Sequence, residues 1–359
     1  MKSHCLNAIL HRHKRRHGCF TGSGTSAIVY GLKALGLKNK RIAIPANVCI
    51  NVPLAVYYSK NIPVFVDIDL DHLGISINEL NKTSVDAIIA VHAFGVPTNI
   101  IELCEFATQQ NIPIIEDACL VQGHQINHQE LGQFGDISIL SFGAGKVINI
   151  GGGGCILTNN KTLHENIINE MKTHHQQQRP KGFDSEDELS HEFTTLYNNV
   201  VFKNHSKYDS QFISKSINSF NVFSHKFNDD TASLLSEKFK NLDNEIQKRF
   251  ENYALLEQAM IDFSHPNIQI LNSKFGKSLW RFNILVESNR DQLLKKGLAL
   301  GLKISSWQPT MSKYFNSESE SPISDLIDQQ VLNFWIDPAI KNYNEYINSC
   351  ISMLKCELK

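Results

Sequence analysis

The sequence lacks the features that mark secreted, membrane-spanning and disulfide-stabilised proteins. No stretch approaches the ~20 consecutive apolar residues that a membrane-spanning helix needs. No apolar segment follows the positively charged start of the chain, so no signal peptide is expected. The eight cysteines are scattered over 359 residues without a Cys-x-x-Cys pair, which is typical of reduced cytosolic thiols. We therefore expect a cytoplasmic protein without membrane contacts.

An excess of charge of one sign is also lacking, because the formal net charge is −1. Nothing overall favours nucleic acid as a partner. The local exception is HRHKRRHG, residues 11–18, which could be an anion- or nucleic-acid-binding arm. No aromatic residues alternate with these charges to stack on bases, so we favour a solvated first helix or a segment lying on a partner subunit.

Metal-binding patterns are missing as well. The chain has 15 histidines, but none belongs to an HExxH motif or to a set of Cys and His ligands. HEFTTLYNNVVFKNH and THHQQQRP are histidine-containing segments that we interpret as polar surface. We expect no metal site.

What the sequence does contain is an α/β pattern. Between residues 41 and 158, short runs rich in Val and Ile alternate with amphipathic helical patterns; the runs are RIAIP, PVFVDID, VDAIIAVHAFG, IPIIEDA, DISILSF and GCILT. Such alternation predicts a buried, mostly parallel sheet. We predict an arm at residues 1–18, a large domain at 19–231 with a loop-rich part at 172–230, and a smaller α+β domain at 232–359. From Ala232 a single long amphipathic helix is expected, followed by strands WRFNILVE and LKISSW.

One stretch, SFGAGKVINIGGGG at residues 141–154, places a single lysine among glycines. A phosphate loop would need a glycine at position 140 and Ser or Thr at position 147. Leu140 and Val147 stand there, so Lys146 requires another explanation.

A second glycine-containing turn, GSGTSA, contains Gly24 and Thr25 at the start of a helical pattern. Free backbone N–H groups, a hydroxyl and the helix dipole suit a phosphate there. The dinucleotide fingerprint is a poor match, because HRHKRRHGC gives no strand signal before the turn and no acidic residue occurs before Asp67. Taken alone, the turn could be a phosphate site or a glycine turn with a Thr cap.

These features gain meaning together with Asp117, which ends the strand IIED. Ligands of parallel α/β sheets bind at the carboxyl ends of strands. A phosphate turn, a strand-end carboxylate and one lysine in a glycine-rich turn are what pyridoxal phosphate needs: Lys146 for the aldehyde and Asp117 for the ring nitrogen.

With these motifs the sequence resembles the DegT/DnrJ/EryC1/StrS aminotransferases, a sugar aminotransferase branch of the fold-type-I pyridoxal phosphate enzymes. The resemblance is carried, in order, by GSGTSA, PVFVDID, AVHAFGVPTN, IPIIEDAC, GDISILSFGAGK and GGGGCILTNN. It implies a large domain with a mostly parallel central sheet, a smaller C-terminal domain and a homodimer. It also implies Lys146 as the Schiff-base lysine and Asp117 as partner of the pyridine nitrogen. Gly24, Thr25 and Ser141 would hold the phosphate.

Three positions depart from the family pattern. Leu120 stands where a glutamine usually contacts the cofactor ring oxygen, and Cys49 where an aromatic residue often stacks on the ring. Ser224 or Asn228, in SHKFND, stands where the partner subunit's asparagine usually reaches the phosphate. His92 is open to two interpretations, a cofactor contact or a core histidine. Trp307 and Arg281 lie in the C-terminal domain, which the resemblance implies would line the substrate cleft, but we favour packing and surface charge as their roles.

The resemblance implies transfer of an amino group from an amino acid, with glutamate as the expected donor, to a keto sugar, expected to be nucleotide-linked. One alternative is another reaction on the same scaffold. The dehydrating branch of the family replaces the lysine with histidine, so Lys146 argues against it. A second alternative, motivated by Leu120 and Cys49, is a ligand-binding or regulatory protein that has lost catalysis.

Overall fold

The computed structural model describes residues 2–173, 220, 223–315, 317 and 319–358. Most of the predicted loop-rich part at 172–230 lies outside these residues, as do nearly all residues of the two histidine-containing segments. Within the part that is described, no helix combines the length and the apolar character needed to cross a membrane.

A seven-stranded sheet and its helices form the larger half of the fold. They follow one another as α1 (Lys2–Arg12), β1 (His17–Thr21), α2 (Gly24–Ala34), β2 (Arg41–Pro45), α3 (Asn51–Tyr58), β3 (Ile62–Val66), α4 (Ile77–Asn81), β4 (Ala87–Val91), α5 (Ile100–Gln110), β5 (Ile114–Asp117), the short pair β6 (Gln125–Ile126) and β7 (Gln129–Glu130), β8 (Ile137–Ser141), β9 (Gly154–Thr158) and α6 (Lys161–Thr173). The sheet has the strand order β1, β9, β8, β5, β4, β2, β3. Strand β9 is antiparallel to both neighbours, while β2, β3, β4, β5 and β8 pair in parallel. The predicted α/β class and mostly parallel sheet are confirmed.

The strands of this sheet are apolar on both faces because helices cover both. Ala87 to Val91 and Ile137 to Ser141 are buried at every position, as expected for parallel strands sandwiched between helices. Every strand expected between residues 41 and 158 is present, and RIAIP and GCILT match β2 and β9 residue for residue.

One strand is not expected from the sequence. The prediction that no strand precedes the GSGTSA turn is wrong, because His17–Thr21 forms β1. Its residues have little strand character of their own, and β1 is stabilised by antiparallel pairing with β9 along its whole length. Tertiary pairing therefore overrides local preference here. The dinucleotide fingerprint remains incomplete, since it still lacks its acidic residue.

The basic segment at residues 11–18 is only partly solvated: His11, Lys14 and Arg16 are exposed, but the other basic residues are not, which corrects the expectation of a solvated helix. His13 is 1% and Arg15 is 7% exposed. The Arg15 guanidinium donates to the carbonyl oxygens of Gly132 and Gly135 at 3.1 and 2.8 Å. Arg12 forms an ion pair with Glu130 at 2.8 Å. The charges of this segment therefore attach α1 to the seven-stranded half.

The second half of the fold is built on a four-stranded antiparallel sheet, which we call the C-terminal sheet. Its elements are α7 (Asp229–Lys240), α8 (Leu242–Phe263), β10 (Ile268–Ile270), β11 (Arg281–Val286), α9 (Arg290–Ala299), β12 (Ile304–Ser305), a 3-10 turn (Ser312–Tyr314), α10 (Pro322–Gln330), β13 (Val331–Trp335) and α11 (Tyr343–Glu357). The strands are ordered β10, β11, β13, β12, and the strands expected in WRFNILVE and LKISSW are present as β11 and β12.

The expectation of a single long helix from Ala232 is wrong. The helix is interrupted at Asn241, which separates α7 from α8.

Packing does not follow the predicted boundary between residues 231 and 232 closely. Ala232, Leu235 and Leu242 pack into the core of the seven-stranded half, whereas Tyr253 begins the core of the C-terminal sheet. The division at 18, 231 and 359 stays a prediction.

Side chains join the two halves through hydrogen bonds that are buried. Asp67 follows β3 and accepts the backbone N–H of Ile323 and of Ser324 at 2.9 Å each, so its carboxylate caps the start of α10. Asn283 on β11 donates to the carbonyl oxygen of Phe94 at 3.2 Å. These contacts fix the C-terminal sheet above the carboxyl ends of the parallel strands.

Candidate active site

The carboxyl ends of parallel strands meet at one edge of the seven-stranded sheet. Asp117 ends β5 and Ser141 ends β8, the two strands being neighbours. Gly154 begins the antiparallel β9 opposite Ser141. The predicted site residues from three separate motifs therefore lie side by side, which sequence spacing alone could not establish.

The turn before α2 reaches the same edge. A Cβ placed on Gly24 would lie 3.0 Å from the Cβ of Ser141 and 3.3 Å from the Sγ of Cys119. Ser23 caps the helix, because its hydroxyl accepts the Ser26 N–H at 3.0 Å. Thr25 follows Gly24 in the first turn of α2 and is 6% exposed. The helix N-terminus, Gly24 and the Ser141 hydroxyl thus converge, as an anion site requires.

The glycine run allows a second close backbone approach. A Cβ on Gly154 would lie 2.5 Å from the carbonyl oxygen of Ser23, so any larger residue would push the GSGTSA turn away. Gly153 has φ of +102°, a conformation that glycine adopts without strain. The run therefore lets β9 pass directly beneath the predicted phosphate turn.

Asp117 is held with its carboxylate at the sheet edge. It is 6% exposed, and its Oδ1 accepts the backbone N–H of Cys119 at 3.0 Å. Burial raises the pKa of the Cys119 thiol well above its ordinary value, and the Asp117 charge raises it further while the Lys146 charge lowers it. The charges of both Asp117 and Lys146 therefore act on the Cys119 thiol.

Lys146 lies in a half-buried turn between β8 and β9. Its backbone N–H donates to the Gly143 carbonyl at 3.3 Å, and Gly145 has φ of +75°. The indole N–H of Trp280 donates to the carbonyl oxygen of Gly145 at 2.8 Å. A side chain from the start of the C-terminal sheet therefore fixes the residue next to the lysine. Sequence reasoning misses Trp280, because no periodic signal or motif distinguishes it.

Cys49 and Leu120 lie in an apolar cluster beside this turn. Leu120, Trp280 and Trp307 are 6–7% exposed and contact one another, and Cys49 packs against them. We call these four residues the apolar cover. The contacts of Cys49 and Leu120 with a cofactor ring stay a prediction. The indoles of Trp280 and Trp307 favour an apolar residue at position 120, because a polar side chain between them would lose its hydrogen bonds to water. The interpretation of Trp307 as a packing residue agrees with this cluster.

The His92 side chain is buried in the core beside Glu116 and does not face the edge of the sheet where the candidate site lies. Its Nδ1 accepts the backbone N–H of Thr98 at 3.1 Å, and its Nε2 lies 3.6 Å from Glu116. Both side chains are fully buried. Of the two interpretations left open for His92, the structure supports the core histidine.

Glu116 precedes Asp117 on β5, so the two carboxylates point to opposite faces of the sheet. Glu116 accepts the backbone N–H groups of Gly132 and Phe134 at 2.6 and 2.9 Å, and the hydroxyl of Ser138 at 2.9 Å. Burial alone would raise the pKa of Glu116, but His92 and these donors lower it to about 2. Glu116 therefore aligns β5 with β8 behind the site.

The residues matched to the asparagine that comes from the partner subunit in the family have contacts within this chain. The hydroxyl of Ser224 lies 3.0 Å from the Tyr30 hydroxyl, and Asn228 caps α7 by accepting the Thr231 N–H at 2.8 Å. A Cβ on Gly22 would collide with the carbonyl oxygen of His225. This segment thus supports the phosphate turn of its own chain.

The arrangement fits pyridoxal phosphate. Gly24 lets the first turn of α2 pack closely against Ser141, so a helix N-terminus and a hydroxyl meet there, which suits a phosphate group. Asp117 at the end of β5 supplies a carboxylate, and Lys146 in the turn after β8 supplies an amine at the same edge. No group of three or more His, Cys, Asp or Glu side chains in the described ranges is arranged to hold a metal ion.

Trp280→Phe should slow turnover about 5-fold while leaving the fold intact, because it keeps a ring in the apolar cover but removes the N–H that holds Gly145. The measurement is steady-state turnover alongside the visible spectrum of the lysine-bound cofactor, whose pH dependence should also shift. Trp307→Phe, which trims the same cover without touching the bond to Gly145, is the control. Equal effects of the two substitutions would contradict the positioning role of the indole N–H.

The sheet order, the strand-end carboxylate and the lysine turn define an α/β protein with a candidate ligand site at the carboxyl ends of its parallel strands. The chain belongs to the DegT/DnrJ/EryC1/StrS aminotransferase family, whose model matches residues 7–347. The family predicted from the six motifs is confirmed.

Among characterised relatives, the chain is 34% identical over 152 residues to GDP-perosamine synthase of Escherichia coli O157:H7, covering 41% of each chain. It is 32% identical over 156 residues to UDP-N-acetyl-3-dehydro-alpha-D-glucosamine 3-aminotransferase of Acidithiobacillus ferrooxidans, covering 42% of each chain. It is 34% identical over 168 residues to 3-oxo-glucose-6-phosphate:glutamate aminotransferase of Bacillus subtilis, covering 45% of this chain and 36% of that protein. The matches thus span about two fifths of the length of these relatives.

Solved structures share the fold over nearly the whole chain. DesI with its TDP-sugar product has a TM-score of 0.78 at 16% identity, covering 98% of this chain and 83% of that one. A family aminotransferase from Brucella abortus has a TM-score of 0.74 at 19% identity, covering 99% and 89%. The fold-type-I architecture is therefore confirmed.

Proposed function

We propose that the protein is a pyridoxal-phosphate-dependent aminotransferase that moves an amino group from an amino acid, glutamate in the first instance, to a keto sugar. The observation that carries the proposal is that Asp117 at the end of β5, the Lys146 turn after β8 and the Gly24–Ser141 contact lie at one sheet edge. The names of relatives that match over part of their length support the substrate class: two name nucleotide sugars, and a third names glutamate with a sugar phosphate. We propose a nucleotide-linked acceptor, a homodimer and a cytoplasmic location.

The site residues divide the work between holding the cofactor and moving protons. When bound, pyridoxal phosphate supplies an aldehyde that condenses with amines and a ring that accepts electrons. Gly24, Thr25 and Ser141 bind its phosphate through backbone N–H groups and hydroxyls. Asp117 accepts a hydrogen bond from the protonated ring nitrogen, which keeps that proton in place.

Lys146 acts as a nucleophile and as a base. Its Nζ would hold the cofactor through the aldehyde group and, once a donor amine has taken that place, would carry a proton away from the donor α-carbon. The keto sugar receives the amino group by the reverse steps, so the two substrates take turns. The apolar cover lies beside the lysine turn and contacts it through the Trp280 N–H bond to Gly145.

The test is spectroscopic. The purified protein loaded with pyridoxal phosphate should be yellow, lose its visible absorbance with L-glutamate, and regain it with the correct keto sugar. A panel of nucleotide keto sugars and keto sugar phosphates, with mass spectrometry of the products, identifies the acceptor. A protein that stays colourless with added pyridoxal phosphate would instead favour the ligand-binding alternative that Cys49 and Leu120 motivated. A protein that eliminates water from the sugar without consuming glutamate would favour another reaction on the same scaffold.

Asp117→Asn should lower turnover by a factor on the order of 10², because an amide cannot balance the positive charge of a protonated ring nitrogen. The amide keeps the oxygen that accepts the Cys119 N–H, so the melting temperature should change little. Turnover and thermal unfolding are measured on the loaded protein. Asp136→Asn, at the opposite end of β8 from the site, is the matched control. Wild-type turnover in Asp117→Asn would exclude a role in holding the ring proton.

A further inference from the structure

Arg281 lies on the face of the C-terminal sheet that is turned toward the seven-stranded half. Side chains alternate along β11, so Arg281, Asn283 and Leu285 share one face. Leu285 packs into the core of the seven-stranded half, and Asn283 donates to Phe94 there. Arg281 is thus the member of this face nearest Trp280 and the lysine turn. It is 6% exposed, which corrects its interpretation as a surface charge.

The guanidinium of Arg281 is held in a defined place. Its Cζ lies 3.9 Å from the ring centroid of Trp280 and 3.6 Å from that of Trp335, and its Nη1 donates to the Ser305 hydroxyl at 2.5 Å. Two indole faces and a hydroxyl orient a planar cation well. Removing a cation from water is costly, so a purely structural position between two indoles would be served better by an apolar side chain.

The same indole connects this cation to the lysine. Trp280 stacks on Arg281 with its ring and touches Gly145 with its N–H, and Lys146 is the next residue. The α-carboxylate of an amino acid is only two bonds from the amine that must reach the lysine-bound carbon. A cation beside the lysine turn is therefore placed for the donor carboxylate, whereas the phosphates of a nucleotide sugar lie many bonds from the keto carbon.

We propose that Arg281 binds the α-carboxylate of the amino donor, in a position set by Trp280 and Trp335. The inference rests on the proposed aminotransferase function. A guanidinium can pair with a carboxylate through two parallel hydrogen bonds, which fixes the direction of the donor as well as its affinity. Arg281 would thereby aim the donor α-hydrogen at Lys146.

The experiment follows the loss of visible absorbance when the pyridoxal-phosphate-loaded protein is mixed with L-glutamate. Arg281→Met should raise the half-saturating glutamate concentration about 10-fold or more, the effect of losing a charge-assisted hydrogen bond. Arg281→Lys should recover part of this loss, because it keeps the charge without the planar fork. Arg290→Met, which removes a buried arginine paired with Asp291 elsewhere on the C-terminal sheet half, should leave the concentration unchanged.

A second comparison varies the ligand in place of the protein. 4-Aminobutyrate has an amine and a distant carboxylate but no α-carboxylate, so the wild-type protein should require a much higher concentration of it than of glutamate. Arg281→Met should remove most of this discrimination. If glutamate and 4-aminobutyrate half-saturate the wild-type protein at the same concentration, the inference is wrong, even if the variants unfold. It is also wrong if Arg281→Met weakens only the step with the keto sugar. No absorbance change in the wild-type protein with glutamate would instead refute the proposed function itself.

Discussion

Lys146→Ala should lower amino-group transfer by a factor on the order of 10³ or more, the largest effect of any single substitution in the protein. The variant loses both the nucleophile and the group that moves the proton, and proton transfer alone is worth about 10² to 10⁴ in rate. The lysine is half-buried in a turn whose backbone bonds do not involve its side chain, so the fold should persist.

The measurement is the rate of product formation with glutamate and the acceptor sugar, together with the visible spectrum. The Ala variant should bind pyridoxal phosphate without the spectral shift that a lysine linkage gives. Lys161→Ala, an exposed lysine at the start of α6, should behave as wild type. Wild-type turnover in Lys146→Ala would refute the assignment of this lysine.

Glu116→Gln should lower the free energy of unfolding by a value on the order of 3 kcal/mol, a large loss for a single substitution. The fully buried carboxylate accepts the N–H groups of Gly132 and Phe134 and the hydroxyl of Ser138. An amide would present N–H donors to at least one of these donors. The bonds that align β5 with β8 would therefore be lost behind the active site.

The loss should also depend on pH with a defined sign. Burial opposes the charge of Glu116, but its partners lower its pKa from the ordinary 4.5 to about 2. A carboxyl whose pKa is lowered on folding stabilises the protein above its unfolded pKa and loses that contribution as the pH falls toward the folded value. The stability difference between wild type and Glu116→Gln should therefore be full above about pH 5 and shrink between about pH 4.5 and 2.

Chemical denaturation at a series of pH values measures this difference. Glu105→Gln, an exposed glutamate on the neighbouring helix α5, is the control and should cost little at any pH. Because each curve is referred to wild type, the titration of other acidic groups cancels. A difference that stays constant from pH 7 to pH 2 would show that the charge of Glu116 does not contribute.

The α/β pattern and the site residues could be predicted because each depends on local sequence. Parallel strands buried on both faces have continuous apolar runs, and Asp117, Lys146 and the Gly24 turn follow strands or begin helices in recognisable motifs. The rule that parallel strands end at a common edge brings Asp117 and the Lys146 turn together, but the Gly24 turn reaches them through β1, which the sequence does not indicate.

The remaining features depend on contacts between distant residues. Strand β1 exists because β9 pairs with it, and a histidine-rich sequence gives no sign of that partner. Arg15 looks like a solvated charge until the carbonyls of Gly132 and Gly135, far along the chain, are brought to it. Trp280 and Arg281 become part of the site only when the C-terminal sheet is seated on the lysine turn. No periodicity or local motif encodes such pairings.

The apolar cover has a consequence for recombining this protein with other members of its family. Cys49 and Leu120 come from the seven-stranded half, while Trp280 and Trp307 come from the C-terminal half. A chimera that exchanges only the C-terminal half would set foreign side chains against Cys49 and Leu120 and leave Gly145 without its indole donor. A chimera should therefore keep an intact lysine turn only when all four positions are exchanged together.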